Sequence, residues 1–247
     1  MTMKVTVLGP WGAFPKAGEA TAGYLLETGG GKRYLIDCGS GVLSALQRII
    51  PLHALDGAFV SHRHYDHTAD LGCLQYGCLI ESDLALRQGN LPIYFAGESE
   101  AEIAYKSMKG SVIYPVGAGR KLKLDDLTVT FFKTYHGVYC LGMAFEAGGR
   151  KLVYTADTTF DERLIPHCAD ADVLIAETSF YADMEASEYG HMNAAEVATL
   201  AKEAGARKLV LTHLPHFGEL PKLAEEAAAG FEGEIVLATC GLDISLG

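Results

Sequence analysis

Residues 61–70 read SHRHYDHTAD and bring three histidines, an arginine and two aspartates together directly behind the apolar run GAFV. His62 and His64 are two apart, so an extended backbone turns both to one side, while Asp66 and His67 fall on the turn into a following helix. Two pairs therefore face two points. Imidazole nitrogens and carboxylate oxygens are the donors that suit zinc, and a carboxylate has two oxygens with which to bridge two cations. Further along, His136 follows TVTFFKTY, Asp157 follows LVYTA and His213 follows LVLT, each at the C-terminal end of a predicted strand. Loops at one edge of a sheet are where side chains distant in sequence meet without opening the core. Together these are five histidines and two aspartates, enough for two metals with positions left for water. Brought together without a cation they would be costly to bury, on the order of several kcal/mol per unpaired group. His53, His167 and His216 have no such spacing and are read as surface or satisfied core residues.

The elements that must position these groups show in the hydrophobic pattern. KVTVLG, GYLLETGG and KRYLIDCG read as hairpin strands punctuated by glycine, with β-branched or aromatic residues between. A helical pattern runs from Gly41 to about Ile50 and stops at Pro51; DGAFVSH is a short buried strand, and TADLGCLQYGCLIES a helix. LPIYFAG, the hairpin RKLKLDDLTVTFFKTYH, the pair of strands in YCLGMAFEAGGRKLVYTADT and the buried ADVLIAETSF supply further strands. NAAEVATLAKEAGA is the clearest helix, with Asn193 as its cap, Glu196 three residues later and Gly205 placed to end it. KLVLTH, a helix over 221–229 and a last strand EIVLATC complete the chain. Hairpins in the first half and strand–helix alternation in the second predict an α/β sandwich of two sheets with helices outside, with any two halves meeting near residue 120.

With 247 residues, 49% hydrophobic and 21% charged, the chain has material for a large core and is read as one domain, 1–247. Its net charge of −11 disfavours an extended nucleic-acid partner, whose phosphates attract clustered Lys and Arg. The N-terminus lacks the apolar region and cleavage site of a secretory signal, and no apolar run approaches about 18 residues, so a cytoplasmic protein without a membrane span is expected. Cys38, Cys73, Cys78, Cys140, Cys168 and Cys240 are scattered, with no CxxC pair, and read mostly as small buried thiols. A homodimer is expected only from the general prevalence of twofold association.

The motif His62-x-His64-x-Asp66-His67, followed in order by His136, Asp157 and His213, resembles the metallo-β-lactamase superfamily over Val5 to Ile244. That resemblance implies a four-layer αβ/βα sandwich and two zinc ions per chain, with Mn²⁺ able to use the same donors. It places His62, His64 and His136 on one metal, Asp66, His67 and His213 on the other, and Asp157 between them. His64 stands where flavo-diiron relatives carry Glu, which favours a hydrolytic site over a redox one. Glu177 in AETSF and His191 in EYGHMNAAE resemble elements of ribonuclease Z and related phosphodiesterases, in which the Glu and His assist proton transfer to the leaving group. A helix before a strand begins at the edge where that strand ends, so His191 and His213 share an edge.

Two departures matter: Ala176 stands where ribonuclease Z commonly has His, and HMNA replaces HSTA. The bacterial type also inserts a long tRNA-gripping arm between His136 and Asp157, and here those positions are separated by only twenty residues. A small anionic substrate is therefore expected: a cyclic or other small phosphodiester, or a short RNA. Asp66 would orient and deprotonate the attacking water, and His191, helped by Glu177, would protonate the departing alkoxide. The alternatives are a lactone or carbon-ester hydrolase on the same metals and a 3′-tRNA-processing endoribonuclease-like activity. Trp11 and Phe14, in the loop GPWGAFPKAGEATAG, flank the cleft as packing residues or substrate contacts, and Arg63 and Tyr65 should point away from the ligands.

Overall fold

The protein is described by a computed structural model covering residues 3–246. Its strands are β1 (Met3–Gly9), β2 (Gly23–Glu27), β3 (Arg33–Ile36), β4 (Gly57–Val60), β5 (Leu91–Ala96), β6 (Ser111–Val116), β7 (Lys121–Leu124), β8 (Leu127–Lys133), β9 (Leu141–Ala147), β10 (Arg150–Tyr154), β11 (Val173–Glu177), β12 (Lys208–Thr212), β13 (Glu234–Leu237) and β14 (Asp243–Leu246). They form two seven-stranded mixed sheets, ordered β14-β1-β2-β3-β4-β5-β6 and β13-β12-β11-β10-β9-β8-β7. The helices are α1 (Val42–Gln47), α2 (Tyr65–Thr68), α3 (Leu71–Asp83), α4 (Ile165–Cys168), α5 (Ala194–Glu203) and α6 (Leu220–Ala228).

Period-two alternation explains why the sheets stack and why both are covered by helices. Val5 and Val7, Tyr24 and Leu26, Phe59, Phe131, Phe145, Tyr154, Ile175 and Val210 turn inward and share the core between the sheets. Their neighbours turn outward: Leu25, Leu35 and Val60 pack with Val42, Leu46, Leu74 and Cys78 of α1 and α3. On the other side Val153, Leu174, Leu209 and Leu211 pack with Val197, Leu200 and Ala201 of α5 and Leu223 of α6. The result is the four-layer sandwich that the resemblance implied.

β3 and β4 are parallel neighbours, as are β10, β11 and β12. β9 is antiparallel to both β8 and β10, so β8 also runs with β10. The C-terminal ends of β3 and β4 in one sheet, and of β8, β10, β11 and β12 in the other, are the segments that carry the titratable residues.

Several element boundaries differ from the sequence reading. The first helix stops at Gln47, well short of Pro51. The helix expected over 68–82 is α3, which begins three residues later at Leu71 behind its N-cap Asp70, whose side chain accepts from the Leu43 amide (3.0 Å); the short α2 precedes it. Two strands went unread: β6, an edge strand that tolerates Pro115, and β14. The last strand is thus β14, which returns to the first sheet beside β1, although the change from one sheet to the other does fall at 117–120. The cap of α5 is as expected: Asn193 accepts from the Ala195 and Glu196 amides while Glu196 accepts from the Asn193 amide. Cys38, Cys78, Cys140 and Cys168 are buried, whereas Cys73 and Cys240 are exposed; all six are free thiols. No helix among the described residues is long and apolar enough to cross a membrane.

Candidate metal centre

The seven residues singled out from their spacing lie in two adjoining groups. His62, His64, His136 and Asp157 form the first; Asp66, His67, His213 and the same Asp157 form the second. In the first group His64 Nδ1 lies 3.1 Å from His62 Nε2 and 3.0 Å from His136 Nε2, with Asp157 Oδ2 3.6 and 3.8 Å from the latter two. In the second, Asp66 Oδ2 lies 3.0 Å from His213 Nε2 and 3.7 Å from His67 Nε2. Asp157 lies 3.3 Å from His67 Nε2 through Oδ1 and 3.5 Å from His213 Nε2 through Oδ2. Donors about 2.0–2.2 Å from a common tetrahedral cation stand roughly 3.3–3.6 Å from one another, so the spacing is that of ligand sets.

Hydrogen bonding at the far side of each ring decides which nitrogen faces inward. Ser61 Oγ donates to Asp37 Oδ2 (2.8 Å) and so accepts from His62 Nδ1 (3.0 Å). His67 Nδ1 donates to Asp37 Oδ2 (2.8 Å), and His136 Nδ1 to the Gly190 carbonyl (2.8 Å). Ser179 Oγ donates to Glu177 Oε2 (2.9 Å) and accepts from His213 Nδ1 (2.8 Å). With Nδ1 committed as donor, Nε2 is the nitrogen each of these four rings turns to the centre, and it presents a lone pair wherever the ring is neutral. His64 Nδ1 has one proton at most, so at least one of its two close N···N contacts sets lone pair against lone pair. A cation between them removes that repulsion. His67 Nε2 and Asp157 Oδ1 are also buried without hydrogen-bond partners, which a metal would satisfy. The residues present fit a dinuclear metal site.

Without cations the charges can balance only against one another. Burial, then the neighbouring imidazoles, push His62 well below the usual histidine range and lower His64. Burial opposes charge on His67 too, yet Asp157 and Asp37 hold it well above that range. Asp157 and Asp66 lie below the carboxylate range, because adjacent imidazoles outweigh burial.

The backbone at these strand ends is strained where it turns a side chain inward. Asp37 (φ 55°), Ala156 (φ 53°) and His213 (φ 54°) all occupy the left-handed region without being glycine. Gly190 has to be glycine: its φ is 79°, and a Cβ there would stand 2.7 Å from His136 Nδ1.

Glu177 and His191 lie beside the second group and form a cluster of their own with His213, their donor atoms within 4.8 Å of one another. Glu177 is fully buried, and Oε1 accepts from His191 Nδ1 (3.0 Å), the Met192 amide (3.1 Å) and the Thr158 amide (3.2 Å). That holds the His191 ring with Nε2 free. Burial works against its charge, but the Glu177 carboxylate pushes His191 up to about 9. Arg63 and Tyr65 are exposed and Trp11 is buried, while Phe14 lines a cavity beside His191 and His213.

Sequence reasoning passed over Asp37, Ser61, Ser179 and His216. Asp37 accepts from His67, from the Ser61 amide (2.7 Å) and hydroxyl, and from the Tyr154 hydroxyl (2.8 Å). Its signal was a carboxylate at the end of the otherwise apolar YLI of β3. Asp37→Ala is expected to weaken cation affinity about 10- to 100-fold by freeing the His67 ring, read by competition with a chromogenic chelator. Stripping the cations should also lower the thermal midpoint. A site held at about 100 times its dissociation constant adds about 2.7 kcal/mol, which for a chain of this size is roughly 5–10 °C by calorimetry.

Comparison with known proteins agrees with the fold. Residues 32–214 match the family described as the Beta-lactamase superfamily domain. The chain belongs to the metallo-β-lactamase superfamily, and it is a metallo-hydrolase with its metal site in these His and Asp groups. It is 43% identical over 242 residues to the "Probable metallo-hydrolase YhfI" of Bacillus subtilis, covering 97% of this chain and 98% of that one. The crystal structure of the metallo-β-lactamase fold protein YhfI from Bacillus subtilis superposes with a TM-score of 0.94 at 41% identity, over 99% and 100% of the two chains. Ribonuclease Z of Archaeoglobus fulgidus is 27% identical over 302 residues, covering 96% of this chain and 95% of that one. The short form of human tRNase Z shares the fold, with a TM-score of 0.78 at 21% identity over 99% of each chain.

Proposed function

We propose that this protein is a dinuclear-zinc phosphodiesterase acting on small or cyclic phosphodiesters or short RNA. The observation that carries this reading is the Glu177–His191 pair beside the second ligand group, with His191 Nδ1 held at 3.0 Å and its other nitrogen free toward the cavity. Ester hydrolysis on an activated carbonyl has little need of such an acid, whereas an alkoxide leaving a phosphodiester does. Similarity to proteins named ribonuclease Z supports the same reading.

Bound in the two ligand groups, with Asp157 between them, divalent cations would supply a water of lowered pKa and offset charge on the phosphoryl oxygens. The chain's own residues do the rest. Asp66 Oδ2 is held by the Ala13 amide (2.9 Å) and lies at His213 Nε2, leaving Oδ1 to orient the attacking water and take its proton. Glu177 keeps His191 charged and in one tautomer, so that Nε2 delivers a proton to the departing oxygen. Residues 137–156 are largely the β9–β10 hairpin, with no room for a tRNA-gripping arm, which with the net charge of −11 favours a compact anion.

The test is a screen of purified protein with Zn²⁺ or Mn²⁺ against bis(p-nitrophenyl) phosphate, 2′,3′- and 3′,5′-cyclic nucleotides, short RNA, pre-tRNA and lactones, with elemental analysis alongside. Phosphodiester turnover with about two equivalents of metal is expected. Lactone turnover without phosphodiester turnover would overturn the reading.

A further inference from the structure

The cavity beside His191 and His213, about 380 Å³, differs in chemistry from the ligand groups it adjoins. Those two histidines form its inner end. Much of the rest is aromatic, from Phe14, His216, Phe180, Tyr189 and Phe217, and no Lys, Arg, Asp or Glu lines it. Phe14 lies flat on His216, ring centroids 3.6 Å apart and planes 7° from parallel, and His216 stacks in turn on Trp11 at 5.0 Å. His216 is fixed edge-on, its Nε2 donating to the carbonyls of Phe14 (2.6 Å) and Gly12 (3.2 Å). A second aromatic set joins Phe180 to Tyr189 at 5.4 Å and to Phe217 at 6.1 Å. Phe14, Tyr189 and Phe217 nevertheless stay 57%, 66% and 45% exposed, so three large rings around one opening remain for a ligand to cover.

Resting on the phosphodiesterase reading, we infer that this pocket binds a flat, uncharged aromatic ring carried by the leaving group of the substrate. The side follows from His191: the group that occupies the pocket is attached to the oxygen that His191 protonates. Beyond His191 at the inner end, no cationic side chain lines the pocket, which argues against a second phosphate or a run of nucleotides there. The volume, at the small end of ligand sites, suits one ring system with a sugar or short linker. His216, outside both ligand groups, acts as a positioning residue that fixes the Phe14 wall. A nucleoside and a simple aryl alcohol both present this chemistry.

The 2′,3′- and 3′,5′-cyclic phosphates of adenosine are compared with the matching ribose cyclic phosphates that lack the base. A base–aromatic stack contributes roughly 5- to 150-fold, so the base should raise kcat/KM at least about fivefold in the wild type, chiefly through KM. Phe14→Ala should carry that ratio toward one, while Tyr114→Ala, an exposed aromatic on β6, keeps it. A wild-type ratio near one, or a ratio that Phe14→Ala does not move, overturns the inference. Trp11 is the only tryptophan in the chain and lies in the Phe14–His216 stack, so adenosine and benzyl alcohol are also titrated against its fluorescence. A saturable change that Phe14→Ala abolishes supports the pocket, adenosine alone pointing to a nucleoside and both probes to any aryl group. If no phosphodiester is turned over, that same signal upholds the pocket while the phosphodiesterase reading fails. No signal from either probe overturns the pocket and leaves phosphodiesterase activity to stand on its own turnover.

Discussion

Asp157→Ala will leave the protein with well under two cations per chain and lower phosphodiester turnover on the order of 10³-fold. Asp157 is the one carboxylate shared by both ligand groups, 3.3–3.8 Å from four imidazole nitrogens. Removing it takes a negative charge and a donor from each group at once, so the second cation must bind beside the first with less to offset their repulsion. Metal assistance contributes several kcal/mol of charge stabilisation, and about 1.4 kcal/mol corresponds to a factor of ten in rate. Elemental analysis after gel filtration reads the first effect and steady-state kinetics the second. Circular dichroism confirms that the variant is folded. Two equivalents of metal retained in folded Asp157→Ala would end the bridging role.

His191→Ala separates chemistry from metal binding. Metal content should stay near two equivalents, because His191 lies outside both ligand groups and its ring is held by Glu177. Turnover of diesters with alkoxide leaving groups should fall about 10²- to 10⁴-fold, the usual contribution of a positioned general acid. Bis(p-nitrophenyl) phosphate, whose leaving group departs readily without a proton, should lose far less. Glu177→Gln should fall between the wild type and His191→Ala on the same alkyl diesters, since a neutral amide no longer supports the charged ring. An undiminished rate on alkyl diesters in His191→Ala would remove that residue from the mechanism.

The metal motif was legible because its parts are local: His62, His64, Asp66 and His67 fall within six residues, and strand and turn geometry fixes where each points. The later members were legible because a polar residue ends an apolar run. Core strands such as β10 and β12 could be read as short continuous apolar runs, buried on both faces. Asp37 was harder, since its partner His67 lies thirty residues away and only the fold aligns β3 with β4. Ser61 and Ser179 carry no spacing of their own, and their role comes from the rings they orient. His216 was set aside as a lone histidine, and only the return of the first loop against residues 214–217 gives it partners. β6 and β14 escaped because a proline interrupts the first, while the second is four residues long and pairs with β1 at the other end of the chain.

His62, His64, Asp66 and His67 come from the end of β4 in one sheet, while His136, Asp157 and His213 come from strands of the other. Occupied, the centre would therefore be a cross-link between the two halves of the sandwich, in a chain whose six thiols are all free. A tie of that kind acts on the opening of the structure as well as on chemistry. Backbone amides from Ser61 to Asp70 and around His213 should exchange with solvent more slowly once cations are loaded, and a protease should find the same stretches harder to cut. The catalytic centre would then also act as the latch that holds one edge of the sandwich closed.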